Sequence, residues 1–333
     1  MVFRALVTDK DEAGQVSSAV KQLQEASLPE GNVTVDIEWA GLNYKDGLCL
    51  TGGGGLVRTY PHVAGIDFSG TVRDSQDTRY EPGQSVLLTG WRVGEAHWGG
   101  YAERARVDGD WLVPLPDRLT TRDAMILGTA GLTAMLAINR LEQAGLKPDA
   151  GTVLVTGAGG GVGSIAISLL SQLGYDVAAL SGRSELGDTL KALGATSIID
   201  RARFLVQQDK PLESAQWAAA IDNVGGPVLG KLLRQVKYNG LVASIGNAAG
   251  IDLNTNVLPF ILRGVTLIGI DSVMQPFETR LAAWRRLADV FDLSGYRDLV
   301  QEIDLDALPK AADAILKGQV KGRILVRPSG GQA

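Results

Sequence analysis

The stretch that decides the fold is residues 152–163, which read TVLVTGAGGGVG. Its first five residues are apolar or β-branched without alternation, which predicts a strand buried on both faces. The glycines follow at once, and apolar residues at helical spacing begin at Val162. A strand, a glycine-rich turn and a helix in this order are the context that a dinucleotide-binding fingerprint requires, whereas the glycines alone would indicate only a turn.

Each glycine of this loop has an expected task if the pattern is aligned as Ala158-x-Gly160-x-x-Gly163, with Ala in place of the usual first glycine. Gly160 lets the backbone approach a pyrophosphate, and Gly163 lets the helix pack closely on the strand. Gly161 and Val162 open the helix, where free N–H groups and a partial positive charge favour phosphate. The loop therefore predicts a bound dinucleotide, the alternative being a turn without a ligand.

The next predicted strand favours NADPH as that dinucleotide. Sites that prefer NAD carry Asp or Glu about 20 residues beyond the loop, where it binds the ribose 2′-hydroxyl. This strand instead ends in Ser181, Gly182 and Arg183. An arginine can form two charge-assisted hydrogen bonds to a 2′-phosphate, which an acid would repel. Arg201, after the third strand, is a second candidate, although either arginine could be a solvated loop residue.

Strands and helices alternate on both sides of the loop, which predicts a parallel sheet covered on both faces. The predicted strands are residues 152–156, 176–180, 197–199, 217–221, 241–245 and 265–270, and the predicted helices are residues 162–173, 185–193 and 228–236. A further helix is expected from residue 120 to about residue 141.

The regions on either side of this alternating segment have a different pattern of residues. Residues 1–125 read as short strands separated by Gly, Pro and Asp, which predicts a β-rich domain. The tail, with helices at 277–293 and 308–317 and a strand at 323–327, is too short for a core of its own. We therefore expect two domains. Residues 1–125, with 272–333 returning to them, form the substrate domain, and residues 126–271 form an inserted dinucleotide domain.

Composition excludes several classes of function. The net charge is −5 and no basic run is present, so a nucleic-acid partner is not expected. No window approaches 18 uncharged apolar residues, and the N-terminus lacks the apolar region of a signal peptide. Cys49 is the single cysteine, which fits a reducing compartment. The chain is expected to be cytoplasmic, with no membrane partner.

Several segments outside the loop carry a closer resemblance to known proteins. They are residues 41–46 (GLNYKD), 64–70 (AGIDFSG), 90–101 (GWRVGEAHWGGY), 128–134 (GTAGLTA) and 321–323 (KGR). With them, the chain resembles the medium-chain dehydrogenase/reductase superfamily over nearly its full length. It is similar to the quinone-oxidoreductase-like branch and, within it, to NADPH-dependent acrylyl-CoA reductases. The resemblance implies an α/β fold with a GroES-like β-rich substrate domain and an inserted Rossmann domain with a doubly wound parallel sheet.

The resemblance also indicates a site without metal. Zinc alcohol dehydrogenases of this superfamily place a Cys where Asn43 stands and a His-Glu pair where Ile66 and Asp67 stand. A catalytic zinc needs about three ligands of Cys, His or carboxylate type, and His62 and His97 are the only histidines. We therefore expect no metal.

Without a metal to polarise an alcohol, the easier reaction is hydride addition to an activated alkene or quinone. The resemblance favours reduction of a short 2-enoyl-CoA, acrylyl-CoA above all, to the acyl-CoA. Quinone reduction is an alternative that the loop motifs do not separate from it. A non-catalytic NADPH-binding sensor is the alternative from another class of function.

Candidate catalytic residues lie in the segment around Tyr44. Its phenol is predicted to donate a hydrogen bond or a proton beside the nicotinamide, and Asn43 to shape the same loop. Asp46 reads better as a residue that fixes the turn. By the resemblance, Thr129 and Thr133 face the nicotinamide.

The remaining cofactor candidates follow predicted strands. Asn223 and Asn247 stand at carboxyl ends of strands, where open parallel sheets bind ligands. Ser272 follows the last strand of the sheet, and Arg323 matches the family's C-terminal motif and is predicted to reach a cofactor phosphate or a substrate anion. The resemblance also implies a homodimer that pairs the last strand of the dinucleotide domain across a two-fold axis, and the strand 265–270 is apolar enough to need such a cover.

Substrate contacts are less specific in the sequence. The residues Trp91, Trp98 and Tyr101 form an aromatic loop with His97 that would line an apolar cleft or would be a packed hairpin. Basic residues available for CoA phosphates are Lys45, Arg58, Arg92 and Arg104, each of which could equally be solvated.

Overall fold

The computed structural model describes residues 1–206 and 210–330 of the 333-residue chain. It divides into two compact units. Unit 1 comprises Met1–Thr129, Ser272–Ala288 and Asp298–Ala333, and unit 2 comprises Ala130–Asp271 and Asp289–Arg297.

The N-terminal part of unit 1 consists mainly of antiparallel strands, as predicted. A small sheet has the order β2-β1-β4, and a larger one contains β3, β5, β6 and β8 in that order, with β7 pairing with β3. Half-buried and exposed residues alternate along Val16–Lys21 of β2, as expected for a strand with one covered face. The strands are β1 (Val2–Lys10), β2 (Val16–Gln24), β3 (Val33–Leu42), β4 (His62–Val63), β5 (Asp67–Ser75), β6 (Ser85–Thr89), β7 (Arg104–Val107) and β8 (Leu112–Pro114).

The segment around Tyr44 is helical, and its interpretation as a loop was wrong. Helix α1 (Tyr44–Thr51) begins after Asn43, whose backbone is extended and whose N–H donates to Asp46 Oδ2 at 2.8 Å. Gly52, at φ 74°, ends the helix in the left-handed conformation. Asp46 thus fixes the start of a helix rather than a turn, and Tyr44 occupies the first helical position.

Helix α2 (Thr121–Gln143) is interrupted at Gly128, where φ is 52° and ψ is −152°. A Cβ at Gly128 would lie 2.7 Å from Asp67 Oδ2 and 2.9 Å from Arg323 Nη2, so only glycine fits this break. Within the described residues, α2 is the one helix long and apolar enough for a membrane span, but 83% of its apolar window is buried. It has the character of a core helix.

Unit 2 contains a six-stranded parallel sheet in the order β11-β10-β9-β12-β13-β14, which confirms the predicted doubly wound sheet. The chain runs outward from β9 to β11 and then returns to the other side of β9 at β12, so the topological switch point lies between β9 and β12. The strands are β9 (Val153–Thr156), β10 (Val177–Ser181), β11 (Ser197–Asp200), β12 (Trp217–Asp222), β13 (Val236–Ser244) and β14 (Thr266–Gly269). The helices of this region are α3 (Gly161–Gln172), α4 (Gly187–Ala192), α5 (Arg201–Leu205), α6 (Gly226–Gln235) and α7 (Leu258–Arg263).

The C-terminal region adds α8 (Phe277–Val290), β15 (Val300–Ile303), α9 (Leu308–Leu316) and β16 (Arg323–Val326). Strand β16 pairs antiparallel with β3 and parallel with β15. The last strand of the chain therefore completes the larger sheet of unit 1, and the unit 2 sheet is formed by an insertion between parts of unit 1.

Candidate active site

The glycine-rich loop of unit 2 has the close packing that the fingerprint predicts. Gly157, at φ 58°, turns the chain sharply at the end of β9, and its carbonyl accepts the N–H of Gly160 at 2.9 Å. A Cβ at Gly163 would lie 2.4 Å from the Gly157 oxygen. Helix α3 can therefore approach the end of β9 only with glycine at position 163. Gly160 is the N-cap, and Gly161 and Val162 form the first turn.

Arg183 reaches back from the end of β10 to this loop. Its Nη2 donates to the Gly159 oxygen at 2.6 Å, and its own N–H donates to Ser181 Oγ at 3.0 Å. Partial burial lowers the pKa of the guanidinium from its usual value, but an arginine with any such pKa stays charged near neutrality. A cation is thus fixed beside the phosphate loop, where a hydroxyl also stands.

Arg201 lies on the other side of the same turn. A Cβ at Gly182 would be only 2.7 Å from Arg201 Cζ, so the guanidinium packs directly on the glycine backbone. Arg201 itself is exposed at the start of α5. The structure thus brings Ser181, Gly182, Arg183 and Arg201 together into one basic pocket at the ends of β10 and β11.

The ends of β9 and β12, at the switch point, are joined by a buried polar network. Thr156 Oγ1 donates to Asp222 Oδ1 at 2.7 Å, and Gly225 N–H donates to Asp222 Oδ2 at 2.8 Å. Burial raises the pKa of Asp222 above its usual value. Asn223 Nδ2 donates to the Thr156 oxygen at 2.7 Å. This network fixes the Asn223 amide beside Gly157.

Asn223 Oδ1 is buried and has no hydrogen-bond partner among the described residues. Buried acceptors usually have partners, so this orphaned oxygen at a strand end fits a site for a ligand hydroxyl or amide. Asn247 is exposed on the loop after β13, and a Cβ at Gly225 would lie 3.3 Å from its Cα. Thr133 is 4% exposed on α2. The glycine loop, the basic pocket and the orphaned acceptor together fit an NADP-type dinucleotide.

In unit 1, the side-chain amide of Asn43 is held between the buried carboxylate of Asp67 and the buried guanidinium of Arg323. Its Nδ2 donates to Asp67 Oδ2 at 3.0 Å, and its Oδ1 accepts from Arg323 Nη1 at 3.1 Å. Asp67 also accepts the N–H groups of Gly41 and Thr129, at 3.0 and 2.8 Å. Asp67 therefore links the start of α1 to the break in α2. Sequence reasoning treated it only as a replaced zinc ligand.

Arg323 is 3% exposed, and the rest of its guanidinium is engaged with main-chain oxygens. Its Nε donates to the Ile126 oxygen at 3.0 Å, and Nη1 also donates to the Leu42 oxygen at 3.3 Å. These contacts hold the arginine beside Asn43, inside unit 1. The role predicted for Arg323, direct contact with a phosphate or substrate anion, stays a prediction.

Asp46, at the start of α1, is fully buried. Its Oδ1 accepts the Ile66 N–H at 2.8 Å. Burial, assisted by the charge of Asp67, raises its pKa to about 7. The carboxyl therefore changes its protonation near neutral pH even though it is closed to solvent.

Tyr44, in contrast, is 48% exposed. Its side chain projects from the first turn of α1, so its phenol is available to a ligand. Ser272 in unit 1 is partly buried, and its main-chain oxygen accepts a hydrogen bond from Arg280 Nη2 at 3.4 Å.

The two histidines are packing residues. His62 is 3% exposed, and His97 Nε2 lies 2.8 Å from the Arg106 oxygen with its ring edge-on to Trp111. Burial lowers the pKa of both imidazoles. Across residues 1–206 and 210–330, no group of three or more His, Cys, Asp and Glu side chains has the arrangement of a metal site.

The four basic candidates for CoA contacts differ in their surroundings. Arg104 is tied to Asp36 and Glu25, at 2.8 and 3.2 Å. Lys45 Nζ lies 3.0 Å from Glu95 Oε1, and Arg92 Nε lies 3.8 Å from the other oxygen of that carboxylate. Arg58 is exposed. Two cations thus share the single charge of Glu95, whereas Arg104 is neutralised by two acids.

Comparison with known proteins agrees with this architecture. Residues 29–117 match the model of the alcohol dehydrogenase GroES-like domain, and residues 161–289 match that of the zinc-binding dehydrogenases. Acrylyl-CoA reductase AcuI of Ruegeria pomeroyi is 55% identical over 326 residues, which cover 98% of this chain and 99% of that protein.

Two solved structures are similarly close. The yhdH oxidoreductase of Salmonella enterica, in complex with NADP, is 53% identical, with a TM-score of 0.95 over 98% of this chain and 99% of that chain. Protein yhfP of Bacillus subtilis, with NAD bound, is 44% identical, with a TM-score of 0.95 over 98% and 100%. The chain belongs to the medium-chain dehydrogenase/reductase superfamily and, within it, to the family that contains the acrylyl-CoA reductase relative.

Proposed function

We propose that this chain is an NADPH-dependent oxidoreductase that reduces the C=C bond of a short 2-enoyl-CoA, with acrylyl-CoA as the favoured substrate and propanoyl-CoA as the product. The observation that carries the proposal is the basic pocket of Ser181, Gly182, Arg183 and Arg201 beside the glycine loop, in a chain 55% identical to an acrylyl-CoA reductase. The neighbour solved with NADP agrees with this cofactor.

The proposed cofactor contacts are distributed over several elements. The pyrophosphate is assigned to Gly160, Gly161, Val162 and Gly163, where the first turn of α3 supplies N–H donors. The 2′-phosphate is assigned to the basic pocket. The orphaned oxygen of Asn223 is assigned to a ribose hydroxyl or the carboxamide. The other proposed cofactor contacts are Tyr44, Thr129, Thr133, Asn247 and Ser272, with Arg323 acting through Asn43.

The reaction needs an electrophilic alkene and a proton. When bound, the reduced cofactor supplies a hydride, which forms a new C–H bond at Cβ of the thioester. The π electrons move toward the carbonyl oxygen, and a proton added at Cα restores the thioester. The exposed phenol of Tyr44 is the proposed donor to this oxygen or to Cα. Asn43 keeps the start of α1 in place through Asp67 and Arg323.

We further propose that this chemistry proceeds without zinc. The place of a zinc-binding cysteine is taken by Asn43, and both ends of its amide are already bonded to Asp67 and Arg323. Ile66 stands where a histidine ligand would be. A neutral amide and an alkyl side chain do not supply the thiolate and imidazole that zinc prefers.

The assembly and the domain roles are also proposals. Residues 1–125 and 272–333 are proposed to hold the acyl-CoA, and residues 126–271 to hold NADPH. Strand β14 lies at the edge of its sheet, and the neighbouring Ile261 and Leu262 are 68% and 54% exposed. An open edge flanked by apolar side chains needs a cover, so we propose a cytoplasmic homodimer paired through β14.

The test is turnover by the purified chain with acrylyl-CoA, crotonyl-CoA and a simple quinone, each with NADPH and with NADH. The proposal predicts that acrylyl-CoA with NADPH gives the highest kcat/KM. Turnover with the quinone alone would remove the thioester substrate and leave the quinone alternative. Cofactor binding without turnover of any acceptor would favour the sensor. A preference for NADH would show that the basic pocket does not select the cofactor.

A further inference from the structure

The feature that the proposed function leaves unexplained is Arg280, a buried arginine on α8. Its side chain is among the largest buried ones, and the residue is 1% exposed. Nη1 donates to the Thr89 oxygen and to Thr89 Oγ1, at 2.6 and 2.9 Å. Nη2 donates to the Val273 oxygen at 3.1 Å. One guanidinium therefore joins the end of β6 to a segment more than 180 residues further along the chain.

The loop that begins at the end of β6 has an unusual backbone. Trp91 and Arg92 are consecutive residues with φ of 55° and 57°, a left-handed conformation that L-residues with large side chains rarely adopt. Such strain persists only where the surroundings impose it, and it is concentrated at functional sites. Here Trp91 N–H donates to the Val273 oxygen at 2.9 Å, and a Cβ at Gly90 would lie 2.6 Å from the same oxygen.

Arg280 also holds the side chain of this strained residue. Its Cζ lies 5.3 Å from the centre of the Trp91 ring, within the range of a cation–π contact. The indole is partly buried, and its Nε1 has no hydrogen-bond partner in the part of the chain that the structure describes. The ring is thus held by its Arg280 contact, by its backbone and by packing against the hydrophobic core of unit 1, without a hydrogen bond from Nε1.

The far end of the loop is attached to the helix that carries Tyr44. Glu95 is 7% exposed and accepts Lys45 Nζ at 3.0 Å. Lys45 directly follows Tyr44 at the start of α1. The loop is therefore held at Trp91 by Arg280 and at Glu95 by Lys45 of α1, the helix that begins with Tyr44.

We infer that Arg280 is a positioning residue for the acyl-thioester substrate, because it fixes Trp91 as an apolar wall against which the acyl chain packs. The inference rests on the proposed function for the identity of the substrate. A wall that is ordered before binding lowers the entropy lost on association and keeps the reacting carbon in place. Arg280 Nη2 also donates to the main-chain oxygen of Ser272, a proposed cofactor contact, but at 3.4 Å. Removal of Arg280 should therefore weaken use of the thioester much more than it weakens cofactor binding.

The first test compares Arg280→Lys with Arg285→Lys, a control on an exposed arginine of the same helix. A lysine keeps the charge but lacks the planar fork that reaches Thr89 and Val273 together. We expect Arg280→Lys to lower kcat/KM for the acyl-CoA about tenfold, mostly through KM, with the NADPH dissociation constant changed less than about twofold. The control should behave as wild type.

The second test measures the environment of the Trp91 ring directly by fluorine NMR. The chain has six tryptophans, so fluorotryptophan labelling gives six fluorine NMR signals, and the variants Trp91→Phe and Trp217→Phe assign two of them. In Arg280→Lys, the Trp91 signal should shift or broaden, while that of Trp217, which lies in unit 2, should stay in place. A merely structural role of Arg280 would lower thermal stability without this selective change.

A third variant keeps the inference testable if Arg280→Lys does not fold. Trp91→Leu leaves the bonds of Arg280 to Thr89 and Val273 available and should raise the thioester KM by a similar factor. If wild type reduces only another acceptor, the proposed function fails, and the same variants are compared on that acceptor. Two results would overturn the inference. One is an Arg280→Lys variant whose kcat/KM and Trp91 signal are both those of wild type. The other is a Trp91→Leu variant with a wild-type KM for the thioester.

Discussion

Replacing Arg183 by alanine tests the basis of the cofactor assignment. In the structure, its guanidinium donates to the Gly159 oxygen at 2.6 Å and stands beside Ser181 at the end of β10. Two effects follow from its removal. One is the loss of charge-assisted bonds to a 2′-phosphate, which affects only NADPH. The other is a looser glycine loop, which affects NADPH and NADH alike.

The two effects have different sizes. A hydrogen bond with one charged partner is worth about 1.5–3 kcal/mol. The bond from Arg183 to the Gly159 oxygen belongs to this class, but it is already made in the protein without cofactor, so only a fraction of its energy contributes to cofactor affinity. Because Arg201 remains in the pocket, we expect about 2–3 kcal/mol of phosphate-specific loss, which is about 30- to 150-fold in affinity. The shared loss should weaken both cofactors by less than about tenfold.

The assay is the dissociation constant of each reduced cofactor, measured by calorimetry or by cofactor fluorescence. Arg203→Ala is the matched control, since Arg203 is an exposed arginine of the same helix α5 as Arg201. It should leave both constants within about twofold of wild type. An equal fall in NADPH and NADH affinity for Arg183→Ala would refute the phosphate-pocket assignment.

Three further predictions follow from single positions. Gly163→Ala places a Cβ 2.4 Å from the Gly157 oxygen and should destabilise the fold by about 1–3 kcal/mol and weaken NADPH binding. The control Gly187→Ala, whose Cβ meets no atom within 4 Å, should do neither in denaturant titration or binding, and equal behaviour of the two would contradict the packing argument. Asp46, whose pKa is about 7 in the fold and 3.8 as a free side chain, keeps a proton between these pH values that the unfolded chain has lost. The free energy of unfolding should therefore fall as pH rises from about 4 to 7, and Asp46→Asn should flatten this slope. Identical slopes for wild type and Asp46→Asn would contradict the raised pKa. Ile261→Glu should convert the proposed dimer to a monomer in light scattering, and a wild type that is already monomeric would refute the β14 interface.

The sheet of unit 2 was predictable because its strands are mostly continuous apolar runs, and the central strands β9, β10 and β12 are buried along their whole length. Residues 152–156, 217–221 and 265–270 were assigned from this property alone, and each overlaps a strand of the structure. The basic pocket could also be predicted, because three of its residues, Ser181, Gly182 and Arg183, are adjacent in sequence at the end of the second strand of the sheet. Helices α5 and α7 were missed, since each is six residues or shorter and lacks a full amphipathic period.

The substrate side was less predictable because it depends on contacts between distant residues. The beginning of α1 was taken for a loop, since its helical start is fixed by Asp46 and by the bond of Asn43 to Asp67. The burial of Arg280 could not be predicted from the sequence, because an arginine on a helix rich in charged residues normally faces solvent. Only the fold shows that it faces Thr89 and Val273 instead.

The most direct test of the proposed reduction is to supply NADPH that carries deuterium at the transferable position of C4 and to analyse the acyl-CoA product by mass spectrometry. With acrylyl-CoA, we expect propanoyl-CoA with a single deuterium at Cβ and a solvent proton at Cα. Absence of propanoyl-CoA, or a product whose deuterium is not at Cβ, would contradict the proposed reduction.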